Sequence, residues 1–255
     1  MRVRAVTNWD AFFCLHRDIP REGPGSDSAT LEAIRRLPPL AESPRVLDLG
    51  CGPGRQTLVL ARELKAPIFA VDTHEPYLAR LRRSAAEAGL ADLVQPRLGR
   101  MESLDEPPGT VDLIWAEGSI FVVGFAAGLR LWRPLLSAGG LVVASELTWL
   151  ADDPPADVLA FFRAEYPAMT TTAGNIRAAS DAGFEVFDLF VLPRAAWWDD
   201  YLTPLAARMA ELRSEAQGDP ALTEVLDGTA REIDICARYG DAFGYVFYLM
   251  RNRRS

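Results

Sequence analysis

Three stretches of the sequence carry residues whose types and spacing could do chemistry. The first is Val46-Leu47-Asp48-Leu49-Gly50-Cys51-Gly52-Pro53-Gly54-Arg55-Gln56, an apolar run with an acid near its end that passes into glycines at alternate positions. Glycine adopts positive φ without a Cβ penalty, so such a loop can approach a ligand closely, and a following helix presents unpaired N–H groups to it. The second is Asp72, which ends the run Phe69-Ala70-Val71 about twenty residues after the loop; a carboxylate there offers two oxygens to the two hydroxyls of a ribose. The third is Glu117, at the end of Val111-Asp112-Leu113-Ile114-Trp115-Ala116. Ligands of open parallel sheets sit beyond the carboxyl ends of the strands, so Glu117 should face whatever the loop holds.

The elements that must position these residues follow from periodicity. Between Arg45 and Leu150, apolar strand-like runs at 45–50, 67–72, 94–99, 111–117 and 140–149 alternate with helical segments near 55–65, 76–89 and 121–136. That alternation predicts an α/β fold whose parallel sheet is covered on both faces. Helices near 155–165 and 173–182 precede a strand at 184–192, and a last strand runs over 244–250. Between those two strands, helical stretches at roughly 199–217 and 220–239 form an insertion. At the other end, Trp9, Phe12, Phe13 and His16 share one face of a short helix, Arg21–Ser26 breaks it, and Ser26 or Asp27 caps a helix that Pro38-Pro39 stops.

Composition narrows the function classes. A chain of 255 residues, 49% of them hydrophobic, can bury a sizeable core as one domain. The net charge of −8 is interspersed rather than clustered, which disfavours a nucleic-acid partner. Cys14, Cys51 and Cys236 lie far apart without a C-x-x-C, so neither a disulfide framework nor a zinc site is expected, and His16 and His74 make no metal pair. The first ten residues lack the apolar core of a signal peptide and no apolar run reaches about 18 residues, so a cytoplasmic location without a membrane partner is expected. The basic end, Arg251-Asn252-Arg253-Arg254, reads as solvated residues.

The loop spacing separates two ligand families. A dinucleotide fingerprint, G-x-G-x-x-G, needs glycine at position 55, where this chain has Arg. The pattern D-x-G-x-G-x-G with its flanks resembles motif I of the class I S-adenosylmethionine-dependent methyltransferases. The resemblance implies a Rossmann-like, seven-stranded, mostly parallel sheet with its last strand inserted antiparallel. It also implies that Asp48, Gly50, Cys51, Gly52, Gly54 and Gln56 cradle the methionine part of S-adenosylmethionine, with S-adenosylhomocysteine as product and no metal. Asp72 and Thr73 then meet the ribose, and Met101 and Glu102 pass beside the adenine. Arg100 departs from the commoner pattern, an acid for the adenine amino group.

Glu117-Gly118-Ser119-Ile120-Phe121, Gly124-Phe125, Gly128-Leu129, Trp132, Gly139-Gly140, Ser145-Glu146-Leu147-Thr148-Trp149 and Arg21–Ser26 look like a subgroup in the broad ubiquinone-biosynthesis-like class. That likeness implies that Gly23, Pro24 and Gly25 close over the cofactor, also contacted by Glu117, and that His16 lies near a small-molecule acceptor. Ile120, Phe121, Trp149 and Tyr166 complete the expected acceptor side. Glu117 is the candidate general base, or the holder of a cationic group, or merely a loop-orienting carboxylate. The chain is thus read as one methyltransferase domain: an N-terminal helical cap over 1–40, a core over 45–192 and 243–251, and a helical insertion over 195–240 that would serve as a lid or a dimer surface. Asp153-Pro154-Pro155-Ala156 is a helix start and not the motif of amino-group methyltransferases, which follows the fourth strand and ends in an aromatic. A non-catalytic S-adenosylmethionine-binding module and, less favoured, a nicotinamide-dependent oxidoreductase are the alternatives.

Overall fold

The computed structural model describes residues 9–253; residues 1–8 of the expected cap, and Arg254 of the basic end, lie outside them. Two helices come first, α1 (Trp9–Leu15) and α2 (Asp27–Arg35). The core follows as β1 (Val46–Leu49), α3 (Arg55–Leu64), β2 (Ile68–Asp72), α4 (Glu75–Glu87), β3 (Val94–Leu98), β4 (Val111–Ala116), α5 (Phe125–Trp132) and β5 (Leu136–Trp149). Then come α6 (Ala156–Glu165), β6 (Thr170–Thr171), α7 (Thr172–Asp181) and β7 (Phe184–Val191). The insertion comprises α8 (Ala195–Trp197), a π-turn at Trp198–Leu202, α9 (Thr203–Leu212) and α10 (Pro220–Tyr239), and β8 (Phe243–Asn252) closes the chain.

The sheet order is β3-β2-β1-β4-β5-β8-β7. β1 to β5 pair in parallel, while β8 runs antiparallel to both β5 and β7. This is the seven-stranded, mostly parallel sheet expected, with the two-residue β6 added alongside β5. Order reverses between β1 and β4: the chain leaves β1 toward β2 and β3, then returns to lay β4 on the other side of β1. Such a switch point opens a crevice at the carboxyl ends of the strands, where Gly50, Asp72 and Glu117 stand.

Strands buried on both faces explain the near-continuous apolar runs. Leu47, Leu49, Ile114, Val142 and Ala144 pack on one side with Trp132 and Phe184. Val46, Leu113, Trp115, Leu141 and Val143 pack on the other with Leu60, Leu78 and the apolar faces of α1, α9 and α10. The insertion therefore braces the cap, α1 lying against both α9 and α10.

Two expected elements differ. The helix read over 121–136 is broken into 3-10 turns at Ile120–Val122 and Arg133–Leu135 around α5. Gly124 at φ 84° cannot continue a helix, and Pro134 lacks the N–H to extend one. The helix read over 199–217 begins as a π-turn and ends at Leu212. Among the described residues no helix is long and apolar enough to cross a membrane.

Candidate active site

β1 ends in the glycine loop, whose Gly50, Gly52 and Gly54 have φ of +70°, +55° and +87°. Gly50 and Cys51 donate their N–H groups to Val71 O at 2.8 and 3.1 Å, which fixes the loop to the neighbouring strand. A Cβ at Gly50 would lie 2.5 Å from Ser119 Cβ, so this position is closed to other residues by space as well as by φ. Beneath the loop, the buried Asp48 accepts from Thr57 Oγ1 at 2.6 Å and from Gln56 Nε2 at 3.4 Å, and Gln56 also donates to Cys51 O at 3.0 Å. Burial pushes the Asp48 carboxyl up to about 7 against those hydrogen bonds. Asp48 and Gln56 thus hold the loop's shape. Thr57, their partner, carries no motif signal and was not anticipated. Cys51 is buried and free, and burial raises its thiol, so it is no nucleophile.

Asp72 holds the other side of the loop. Its Oδ2 accepts from Gly52 N at 2.9 Å and its Oδ1 from His74 N at 2.8 Å. The Thr73 backbone N–H adds to these, and of the carboxylate's roughly four lone-pair sites that leaves one for a ligand hydroxyl. Burial raises the Asp72 carboxyl, and the backbone N–H groups oppose that rise.

Glu117 sits at the end of β4 in a different condition. Its carboxylate receives Arg21 Nη1 at 3.2 Å, Thr30 Oγ1 at 2.9 Å and Trp115 Nε1 at 3.1 Å. Burial raises it, with Arg21 opposing. Arg21 also binds Asp27 at 2.8 Å, and Asp27 binds Arg55 at 3.0 Å. This chain of charges ties the segment before α2 to the first residue of α3 and the end of β4. Of the readings open to Glu117, the geometry favours the orienting one: its bonds go to the cap and the core. Arg21 is the functional residue that sequence reasoning undervalued, its only signal being its place before Gly23-Pro24-Gly25.

That cap segment crosses the glycine loop. Arg21, Glu22, Gly23 and Pro24 line a narrow compartment of about 80 Å3 with Gly50–Pro53, Arg55, Gln56 and Glu117, and Gly25 N donates to Ala196 O at 3.1 Å. Glu22, Gly50, Gly52 and Gly118 are shared with a larger cleft of about 300 Å3. Asp72, Thr73, Gly99, Met101 and Glu102 form part of its wall. Met101 is held there by Trp132 Nε1, which donates to its carbonyl at 2.9 Å, while Arg100 and Glu102 pair at 2.8 Å.

Aromatic side chains from other elements complete the cleft: Trp9, Phe12 and Phe13 of α1, Phe121, and Tyr201. Val122, 61% exposed, also stands on this wall, a place no motif in the sequence signals. Of the residues expected on the acceptor side, Phe121 lines this cleft and Ile120, Trp149, Tyr166 and His16 do not. Ile120 is fully buried, because the 3-10 turn directs it toward α5 and Gly128. Trp149 packs edge-on against Phe162, since α6 folds back over the end of β5. Tyr166 is buried and donates to Glu146 Oε1. His16 is buried one layer behind the cleft, stacked on Phe12 at 3.9 Å with Nδ1 bonded to Phe12 O at 2.9 Å; burial pushes it down to about 4.

Comparison with known proteins identifies the same region. Residues 46–140 match a protein family described as a methyltransferase domain. A trans-aconitate 2-methyltransferase of Methylobacterium nodulans is 34% identical over 141 residues, 54% of this chain and 50% of that protein, so the match spans about half the relative's length. The fold matches a S-adenosylmethionine-dependent methyltransferase from Geobacter sulfurreducens in complex with S-adenosyl-L-homocysteine, with 21% identity, a TM-score of 0.79, and 95% of this chain and 98% of that one covered. It also matches the cyclase SpnF, with 20% identity, a TM-score of 0.73, and 90% and 81% covered. At these identities the structures speak to the fold alone.

Proposed function

We propose that this chain, which through residues 46–140 belongs with the class I S-adenosylmethionine-dependent methyltransferases, moves a methyl group to a small-molecule O, N or C nucleophile. One observation carries the reading: the left-handed glycine loop, the Asp72 carboxylate and the Met101 wall border two compartments that share Glu22, Gly50, Gly52 and Gly118. A ligand with a polar amino-acid end, a ribose and a flat base matches that sequence of surfaces. The residues fit the cofactor: at Gly52 only Glu22 lies near the side-chain position, and Asp72 has a lone pair left to accept from a ribose hydroxyl.

S-adenosylmethionine, when bound, supplies an electrophilic methyl on a sulfonium. What the protein supplies is alignment, which for an in-line displacement contributes most of the rate. Arg21 and Glu117 fix the cap across the loop and limit access of water, and the aromatic wall presents the acceptor. Glu117, held by three donors, acts as a positioning residue. The free cysteines suit a reducing, cytoplasmic setting, and the α9–α10 insertion supports the cap rather than the cofactor loop.

Isothermal titration with S-adenosylhomocysteine tests the reading. Binding in the micromolar range is expected, and none at high micromolar ligand overturns it. Bound cofactor without turnover across a broad acceptor panel would move the chain to the binding-module alternative.

A further inference from the structure

Glu22 is the side chain that the methyl-transfer reading leaves unused. It stands in the cap between Arg21 and Gly23 and borders both compartments. Its Cγ is 3.4 Å from where a Cβ at Gly52 would lie, close to the junction of the cofactor loop and the aromatic cleft. Oε2 accepts from Tyr77, but Oε1 is buried with no hydrogen-bond partner among the described residues. An orphaned carboxylate oxygen is costly unless something supplies a donor. The charged and titratable groups around it are Tyr77 and Arg80 from α4, Asp72 from β2, and Tyr201 from the insertion. Burial pushes the Glu22 carboxyl up to about 8 despite Tyr77 and Arg80, with Asp72 adding to the rise.

The rest of the cleft says what kind of donor would come. Beyond Asp72 and the Met101–Glu102 wall given to the cofactor, its walls are aromatic and its remaining acid is Glu22. Of the cations nearby, Arg100 pairs with Glu102, Arg21 with Glu117 and Asp27, and Arg55 with Asp27, while Arg80, which acts on Glu22 from outside the cleft wall, donates to Ile19 O at 2.9 Å. An anionic acceptor would be desolvated here beside Glu22 with no cation on the cleft wall that is not already paired to an acid, which is unfavourable. A flat apolar body can stack on the aromatic rings, and a cation gains from both the rings and the Glu22 carboxylate.

We propose that the acceptor is a planar apolar amine, held by its ring against the aromatic wall and by its N–H group on Glu22 Oε1. This rests on the methyltransferase reading and names the acceptor class for the same site. The test uses an indole series differing in the group that ends a two-carbon side chain: tryptamine, 3-ethylindole and indole-3-propionate, titrated calorimetrically into the full chain with and without saturating S-adenosylhomocysteine. Tryptamine should bind at least about 10-fold tighter than 3-ethylindole, with indole-3-propionate weakest. Glu22→Gln should bring tryptamine down to the level of 3-ethylindole while leaving 3-ethylindole within about threefold of the unsubstituted protein. Equal affinities across the series, no binding by any member, or no effect of Glu22→Gln overturns the proposal. So does a loss of S-adenosylhomocysteine affinity in Glu22→Gln, which would turn Oε1 toward the cofactor. Failure of the unsubstituted protein to bind S-adenosylhomocysteine would instead sink the methyltransferase reading, and the series without it then reports on the cleft alone.

Discussion

At the glycine loop, the polar groups that shape the ligand face are paired inside the protein: Gly50 and Cys51 with Val71, Gly52 with Asp72, Asp48 with Thr57 and Gln56. There the atoms left over are the guanidinium Nε atoms of Arg21 and Arg55, whereas around the aromatic side they are Glu22 Oε1, His16 Nε2 and Glu146 Oε2, buried without hydrogen-bond partners among the described residues. The first region is over-determined, so its shape persists without a ligand. The second is an apolar surface with few polar groups, the form that selects a substrate by shape and one or two contacts. One side is built to hold a fixed cofactor, the other to be specific.

That contrast can be broken most severely where the two regions are tied together. Arg21→Ala leaves Glu117 as a buried carboxylate without its cation, a change that typically costs about 3–5 kcal/mol. Its unfolding midpoint in urea should fall sharply. An unchanged midpoint would mean that the cap is not anchored through this pair.

Next in size is Gly50→Ala. A left-handed φ costs a non-glycine residue about 1–2 kcal/mol and overpacking about 1–3 kcal/mol more. Here the obstruction is Ser119 Cβ, which is fixed to the backbone and cannot swing away. Stability and S-adenosylhomocysteine affinity should fall together. A variant that keeps full affinity would show that the loop is less rigid than its hydrogen bonds suggest.

Asp72→Ala sharpens the comparison on the cofactor side alone. A hydrogen bond to a charged group contributes about 1.5–3 kcal/mol, so S-adenosylhomocysteine affinity should drop roughly 10- to 150-fold. Affinity for an acceptor probe should change far less. Unaltered cofactor affinity removes the ribose assignment.

The smallest effect lies behind the aromatic wall. Burial lifts Glu146 to about 8 in the folded chain from an ordinary value near 4.5, opposed by the Tyr166 hydroxyl. The folded state therefore holds a proton that the unfolded state releases between those values. Its contribution to stability is complete below about 4.5 and is lost as pH rises through 8. Glu146→Gln should flatten that decline, because the amide has no proton to lose in this range. A pH–stability curve identical to that of the unsubstituted protein would place the titration elsewhere.

Much of the cofactor side was legible in the sequence because its determinants are local. A strand, a positive-φ turn and a helix are adjacent in the chain, and the acid at the end of the next strand recurs at a fixed distance. Asp48, Gly50, Gly52, Gly54, Gln56 and Asp72 all fall on the loop or against it. The acceptor side was read less well because its residues meet only through folding. Trp149 and Tyr166 look like pocket aromatics by composition, but Trp149 packs on Phe162 of α6 and Tyr166 is buried with its hydroxyl on Glu146. Tyr201 carries no motif and reaches the cleft from the insertion. The broken helix at 120–135 turned on the φ of Gly124, which redirected Ile120 inward while leaving Phe121 and Val122 on the cleft.

By itself the sequence determined the strand–loop–helix unit, the alternation that makes a covered parallel sheet, and the absence of glycine at position 55 that separates this loop from a dinucleotide site. These are consequences of backbone freedom and short-range periodicity, which the chain carries wherever it folds. Only the tertiary structure decided that Glu117 is neutralised by Arg21 from a segment 96 residues away, and that Glu22 keeps an unpaired oxygen. Both depend on which groups are buried next to each other, and burial, not residue type, settles whether a carboxylate is a strut or a hand held out to a ligand.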